Sequence, residues 1–146
     1  MLKPKIIYIL GAPRSGSTYF DQLLGSNKNF FSVGETNRGI YDFIENKRTC
    51  SCGENYENCN FWNRVFINLK KEDINNLKEL KSYNTENRLL KIFNKEKIKS
   101  LQKSLEKFYK QVIKTSGCLC VIDSSKDPLY PYILHDSEEL IWNFFV

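Results

Sequence analysis

The residues Gly11 to Thr18, GAPRSGST, offer the first chemistry in this chain. They follow an apolar run and precede a stretch with helical character. A glycine-bounded turn in that position aims several backbone N–H groups at one point, and the helix N-terminus adds partial positive charge there. The product is an anion cradle. Gly11 and Gly16 permit close backbone approach, Ala12, Pro13 and Ser15 complete the turn, and Ser17 and Thr18 offer hydroxyls. The spacing nearly matches the nucleotide loop G-x-x-x-x-G-K-[S/T], whose lysine binds phosphates and whose following hydroxyl holds magnesium. Ser17 stands where that lysine would be, and Arg14, inside the loop, supplies a planar and permanently charged donor instead. Such a loop suits a terminal phosphate bearing one extra anionic group, without obligatory magnesium.

A second cluster is Cys50, Cys52 and Cys59, spaced C-x-C-x6-C. Three thiolates could hold zinc, but a structural zinc site takes four protein ligands, and no fourth is evident nearby. The expectation is a structured loop over residues 50–62, anchored by Phe61 and Trp62, with free thiols or a labile disulfide and no metal. Cys118 and Cys120 alternate with Leu119 and read as small core residues. The single histidine, His135, reads as an ordinary helix-end residue.

These groups need a scaffold. Lys5–Leu10 is a nearly continuous apolar run, as expected of a strand buried on both faces of a parallel sheet. Ser17–Leu24 reads as a helix with Tyr19, Phe20, Leu23 and Leu24 turned inward. Phe30–Val33 is a second strand, followed by the turn GETNRG and a short helix over Ile40–Glu45. Phe61–Leu69 reads as helix, and Lys70–Lys97 as exposed helices with weak boundaries. The best amphipathic pattern is Lys97–Thr115. Ile98, Leu101, Leu105, Phe108, Val112 and Ile113 fall on one face, and Gly117 suits the C-terminal cap. Cys118–Asp123 is a buried strand, SSKDP a loop, Leu129–His135 a short helix, and Glu138–Val146 a last apolar strand. This order predicts one α/β domain over residues 1–146 with a parallel sheet flanked by helices.

The totals agree. With 146 residues there is room for one core and little more. A net charge of +5 suits an anionic ligand, yet no basic stripe marks a nucleic-acid binder. The N-terminal apolar run is too short for a signal-peptide core or a membrane span, which predicts a cytoplasmic chain. Five cysteines in that setting argue for thiols or metal over a disulfide framework.

With its place at the first strand–helix junction, GAPRSGST resembles the 5'-phosphosulfate-binding loop of sulfotransferases that use 3'-phosphoadenosine 5'-phosphosulfate (PAPS). Arg at the Arg14 position is similar to the bacterial and Golgi-type members. Two further stretches extend the resemblance. In tyrosylprotein and heparan-type members a glutamate in the position of Glu35, within SVGET, is the general base. An acceptor hydroxyl must lose its proton as sulfuryl arrives, and a carboxylate near a cationic loop can take it. The plainer reading is that Glu35 caps a turn or pairs with Arg38. Similar enzymes also carry a lysine after the central strand, which Lys126 in VIDSSKDP matches. There it would neutralise the bridging oxygen of the departing nucleotide, where the plainer reading is a solvated loop lysine. Asp123, Ser124 and Ser125 would give local support. The C-x-C-G…C-x-F-W segment is also similar to that of many bacterial members.

The resemblance implies a P-loop-like fold, PAPS as donor, a hydroxyl- or amine-bearing acceptor and no required metal, with no nucleic acid or membrane span. It also implies an Arg-Asp-Pro-Arg-like turn, gripping the 3'-phosphate, after the last strand. The chain ends at Val146, about where that turn would begin. The expectation is thus a domain incomplete on its C-terminal side. Two other readings stand beside this one. A P-loop kinase or nucleotidase would use Asp123 to hold magnesium, and an inactive remnant would only bind anions.

Overall fold

Four short apolar stretches become four strands of one sheet in the computed structural model, which describes residues 3–12, 14–80 and 94–145. The strands are β1 (Lys5–Leu10), β2 (Phe30–Gly34), β3 (Cys120–Lys126) and β4 (Ile141–Phe145). Their order is β2-β3-β1-β4, and every pairing is parallel. Parallel strands are covered on both faces, which is why β1 and the first half of β3, Cys120 to Ile122, read as apolar runs. Alternation sends Ile6, Tyr8 and Val121 to one core and Ile7, Ile9 and Ile122 to the other.

Helix α1 (Ser17–Gly25) joins β1 to β2. Phe20 and Leu24 cover the smaller core, while Tyr19 and Leu23, expected inside, are 73% and 55% exposed. Ser17 and Asp21 are buried in their place. The 3.6-residue period explains the correction: 17, 20, 21 and 24 share a face, and 19 and 23 lie off it.

The larger core is covered by α2 (Thr36–Ile44), α3 (Asn60–Phe66), α4 (Lys71–Glu79), α5 (Lys95–Ser116) and α6 (Leu129–Leu134). Along α5 the expected face is buried at Leu101, Leu105, Phe108 and Val112, and Ser104 and Tyr109 join it. The helix starts at Asn94, whose side chain accepts from the Lys97 amide at 3.1 Å, and stops at Gly117, with φ 70°. Phe43, Trp62, Phe66 and Phe108 form an aromatic cluster, the Trp62 and Phe108 rings stacked at 6.2 Å. Of the expected helices over Lys70–Lys97, α4 lies within the described residues, while 81–93 lie outside them, as do Pro13 and Val146. Among the described residues no helix is long and apolar enough to cross a membrane.

Other boundaries move for physical reasons. SSKDP was expected as a loop, but β3 continues through Ser124 and Ser125 to Lys126, because Leu10 of β1 pairs with Lys126. Cys118 falls before the strand, and Leu119 is exposed. The GETNRG turn is in its greater part the start of α2. Cys59 is the N-cap residue of α3, so the cysteine loop ends there and Asn60 to Trp62 are helical.

The connections define a crevice. The β1–α1–β2 unit covers one face, and α6, between β3 and β4, lies on the other. Adjacent strands whose following helices leave to opposite faces open a gap at their carboxyl ends, where open α/β sheets bind ligands. The loop after β1 and the end of β3 border that gap.

Candidate functional site

The described residues of the loop after β1 make a tight turn into α1. Gly16, the N-cap residue of α1, has φ 83°, a left-handed conformation natural to glycine, and no side chain caps the helix. Among the described residues no capping side chain therefore accepts from the first-turn amides of α1. The Ser15 amide donates to the Ala12 carbonyl at 3.2 Å and tightens the turn. A Cβ on Gly11 would stand 2.9 Å from Ser15 Oγ. Arg14 also has positive φ, 67°, and its side chain is exposed. Ser17 is buried, and Thr18 is exposed at the edge of a cavity.

Glu35 and Lys126, far apart in the sequence, meet. Lys126 Nζ donates to Glu35 Oε1 at 2.8 Å. Glu35 makes no capping bond at α2 and pairs with Lys126 rather than Arg38. Both flanking backbones are irregular. Between Ser32 and Gly34 of β2, and between Asp123 and Lys126 of β3, the register shifts, as at bulges that re-aim side chains beside sites. Gly34 has φ 68° and Lys126 φ 64°. For a non-glycine residue that conformation costs about 1–2 kcal/mol, so the surrounding bonds must hold Lys126 in place.

Those bonds converge on Asp123. This carboxylate is fully buried and accepts from Thr36, Tyr109 and both the hydroxyl and amide of Ser125. Thr36 Oγ1 also lies 3.1 Å from Tyr130 Oη, and the Asn37 amide donates to Ser125 Oγ at 3.1 Å. Thr36 follows Glu35 and Ser125 precedes Lys126, so the network ties the two site residues through their neighbours. Burial pushes the Asp123 carboxyl up, against the hydrogen bonds from Ser125, Thr36 and Tyr109. Burial and the Asp123 charge raise Tyr8, Tyr109 and Tyr130, keeping these phenols protonated donors.

A cavity of about 970 Å³ opens beside this pair. Thr18, Glu35 and Ser124 line it together with Cys50, Cys52 and Cys59, while Arg14 and Lys126 do not. Asp21 also lines it. Its Oδ2 accepts from Ser124 Oγ at 2.8 Å, and its buried Oδ1 has no partner among the described residues. The three cysteine sulfurs lie within 4.8 Å of one another, and all five cysteines are free. Burial opposes ionisation of Cys50, yet hydrogen bonds from the Cys52 backbone and the neighbouring thiols hold it below its ordinary value; burial pushes Cys59 up.

No family model, curated protein or solved structure matches the chain.

Sequence reasoning missed Asp21, Thr36, Tyr109 and Tyr130. The signal for Asp21 is its place one turn after Ser17, on the face of α1 that meets the sheet. Thr36, Tyr109 and Tyr130 carry no local signal, since only the strand order brings them to Asp123. His135 behaves as expected, an exposed C-cap residue of α6.

Proposed function

We propose that the chain is a PAPS-dependent sulfotransferase domain with a P-loop-like arrangement. The observation that carries this reading is the 2.8 Å contact between Glu35 and Lys126 at the carboxyl edge of the sheet, with Lys126 paired to the strand that feeds the arginine-bearing loop. An acid–base residue and a cation are thus adjacent where a group would be transferred.

The arrangement supports an in-line transfer. The α1 amides, the Ser17 and Thr18 hydroxyls and Arg14 would hold the 5'-phosphosulfate. An acceptor oxygen or nitrogen in the cavity would attack sulfur. The bond from sulfur to the bridging phosphate oxygen would break, and its electron pair would stay on that oxygen. Glu35 would take the acceptor's proton, and Lys126 would turn from Glu35 to the bridging oxygen as its charge develops. Donor binding would thereby free the carboxylate for its proton. Asp123 is poorly placed for the kinase reading. It is fully buried, and its two oxygens are occupied by four donors.

The test is transfer of labelled sulfuryl from PAPS to a panel of hydroxyl and amine acceptors. Glu35→Gln is expected to lower transfer by about 100-fold or more, the scale of general-base loss, while leaving binding of 3'-phosphoadenosine 5'-phosphate (PAP) intact. Transfer unaffected by that change, or phosphoryl transfer from ATP–magnesium in its place, would overturn the reading.

A further inference from the structure

We propose that Cys50, Cys52 and Cys59 form a three-thiolate site for one zinc-class divalent ion, whose fourth position is filled by a water or ligand from the adjoining cavity. The sequence offers three thiols with no obvious fourth ligand. The fold makes them converge, with all sulfurs within 4.8 Å of one another, and among the described residues no further Cys, His, Asp or Glu joins them. A tetrahedral ion about 2.3 Å from each sulfur sets the sulfurs about 3.8 Å apart, so the observed cluster can close on an ion by small adjustments. A disulfide would use two of the three and leave the convergence of the third without a purpose.

The backbone holds this arrangement before any ion arrives. The Gly53 amide donates to the Cys50 carbonyl at 2.8 Å, and the Cys50 amide to the Glu54 carbonyl at 2.8 Å. Gly53, with φ 90°, makes the tight turn that returns the chain after Cys52. Cys59 is 3% exposed and belongs to the main core, and its amide donates to the Asn55 carbonyl at 2.8 Å. One ligand is thus embedded in the core, Cys50 is half-buried against it, and Cys52 is exposed on the turn.

Charge is balanced as well. Three thiolates and a divalent cation leave one net negative charge, and Arg48 and Arg64 line the same cavity. Thiolate ligands favour zinc among the common divalent ions. Sites with three protein ligands keep a position for an exchangeable molecule, unlike closed four-ligand structural sites. Because the thiols and Glu35 border one cavity, a molecule on the ion would share that space with Glu35. Metal binding at the three thiols requires no sulfuryl transfer.

The experiment uses the full chain, reduced and stripped of metal. Titration with cobalt(II) should give the visible bands of tetrahedral cobalt thiolate, saturating at one equivalent, and zinc should displace them at one equivalent. Cys52→Ser changes an exposed side chain, so the apo variant should melt as the parent does while losing the stoichiometric bands. Cys118→Ser, outside the cluster, should keep them. Absence of bands in the parent, their survival in Cys52→Ser, or capture of copper(I) alone would overturn the proposal.

Discussion

Replacing Thr36 by valine removes one hydroxyl at the centre of the Asp123 network and keeps the side chain's shape. Thr36 is 2% exposed, and its hydroxyl donates to Asp123 while lying 3.1 Å from Tyr130 Oη. Asp123 keeps Tyr109 and both Ser125 donors. The hydrogen bond to the charged acceptor is lost, which alone is worth about 1.5–3 kcal/mol, and the Tyr130 hydroxyl loses its acceptor at Thr36. At about 2–4 °C per kcal/mol for a chain of this size, the melting temperature should fall by about 3–12 °C. The loss should depend on pH. The Thr36 bond favours the Asp123 carboxylate, so removing it raises the folded pKa further above 3.8. As pH falls from neutral toward that value, Asp123 gains its proton and the missing bond becomes a neutral one, worth about 1 kcal/mol. The gap between parent and variant should therefore narrow in acid. Urea unfolding from neutral pH to pH about 4 measures both. A neutral-pH loss below about 0.5 kcal/mol, the range of ordinary surface changes, or a gap that widens in acid, would refute the network.

Three further outcomes are expected. Gly16→Val forces a β-branched residue into φ 83° and should destabilise by about 1–2 kcal/mol, with weaker anion binding, as read by thermal melts with and without PAP. Asp73 is buried and accepts from Lys107 at 2.7 Å and Ser104 at 3.0 Å. Burial opposes its ionisation, but those bonds win and lower its pKa, so its stabilisation should be lost as pH falls below 3.8 through the folded value. Asp73→Asn should remove that part of the acid sensitivity in pH-dependent unfolding. Lys126→Gly should offset part of the lost ion pair by relieving φ 64°, and so should unfold at higher urea than Lys126→Ala while transferring no more sulfuryl.

The first strand, its loop and the following helix could be read locally, because an apolar run, two glycines and a hydroxyl pair are contiguous from Lys5 to Thr18. The best helix was equally plain from its repeating face. The start of α2 was not. Gly34, Asn37 and Gly39 look like turn residues, but Thr36 and Asn37 bond to β3 and extend the helix to Thr36. Tertiary bonds there override local turn chemistry. The meeting of Glu35 with Lys126 was anticipated only as two roles in one resemblance, since the contact arises from placing β2 beside β3. The three thiols were visible as a spacing, but their convergence depends on the turn at Gly53 and on anchoring Cys59 in the core.

If this edge of the sheet binds a phosphosulfate donor through the loop and Lys126, as proposed, it should also bind the desulfated nucleotide. Calorimetric titration of the full chain with PAP, beside ATP–magnesium, measures this. The expected result is saturable one-to-one binding of PAP in preference to ATP–magnesium, weakened about tenfold or more by Arg14→Ala through loss of one charge-assisted contact. Preference for ATP–magnesium, or PAP binding indifferent to Arg14, would contradict it.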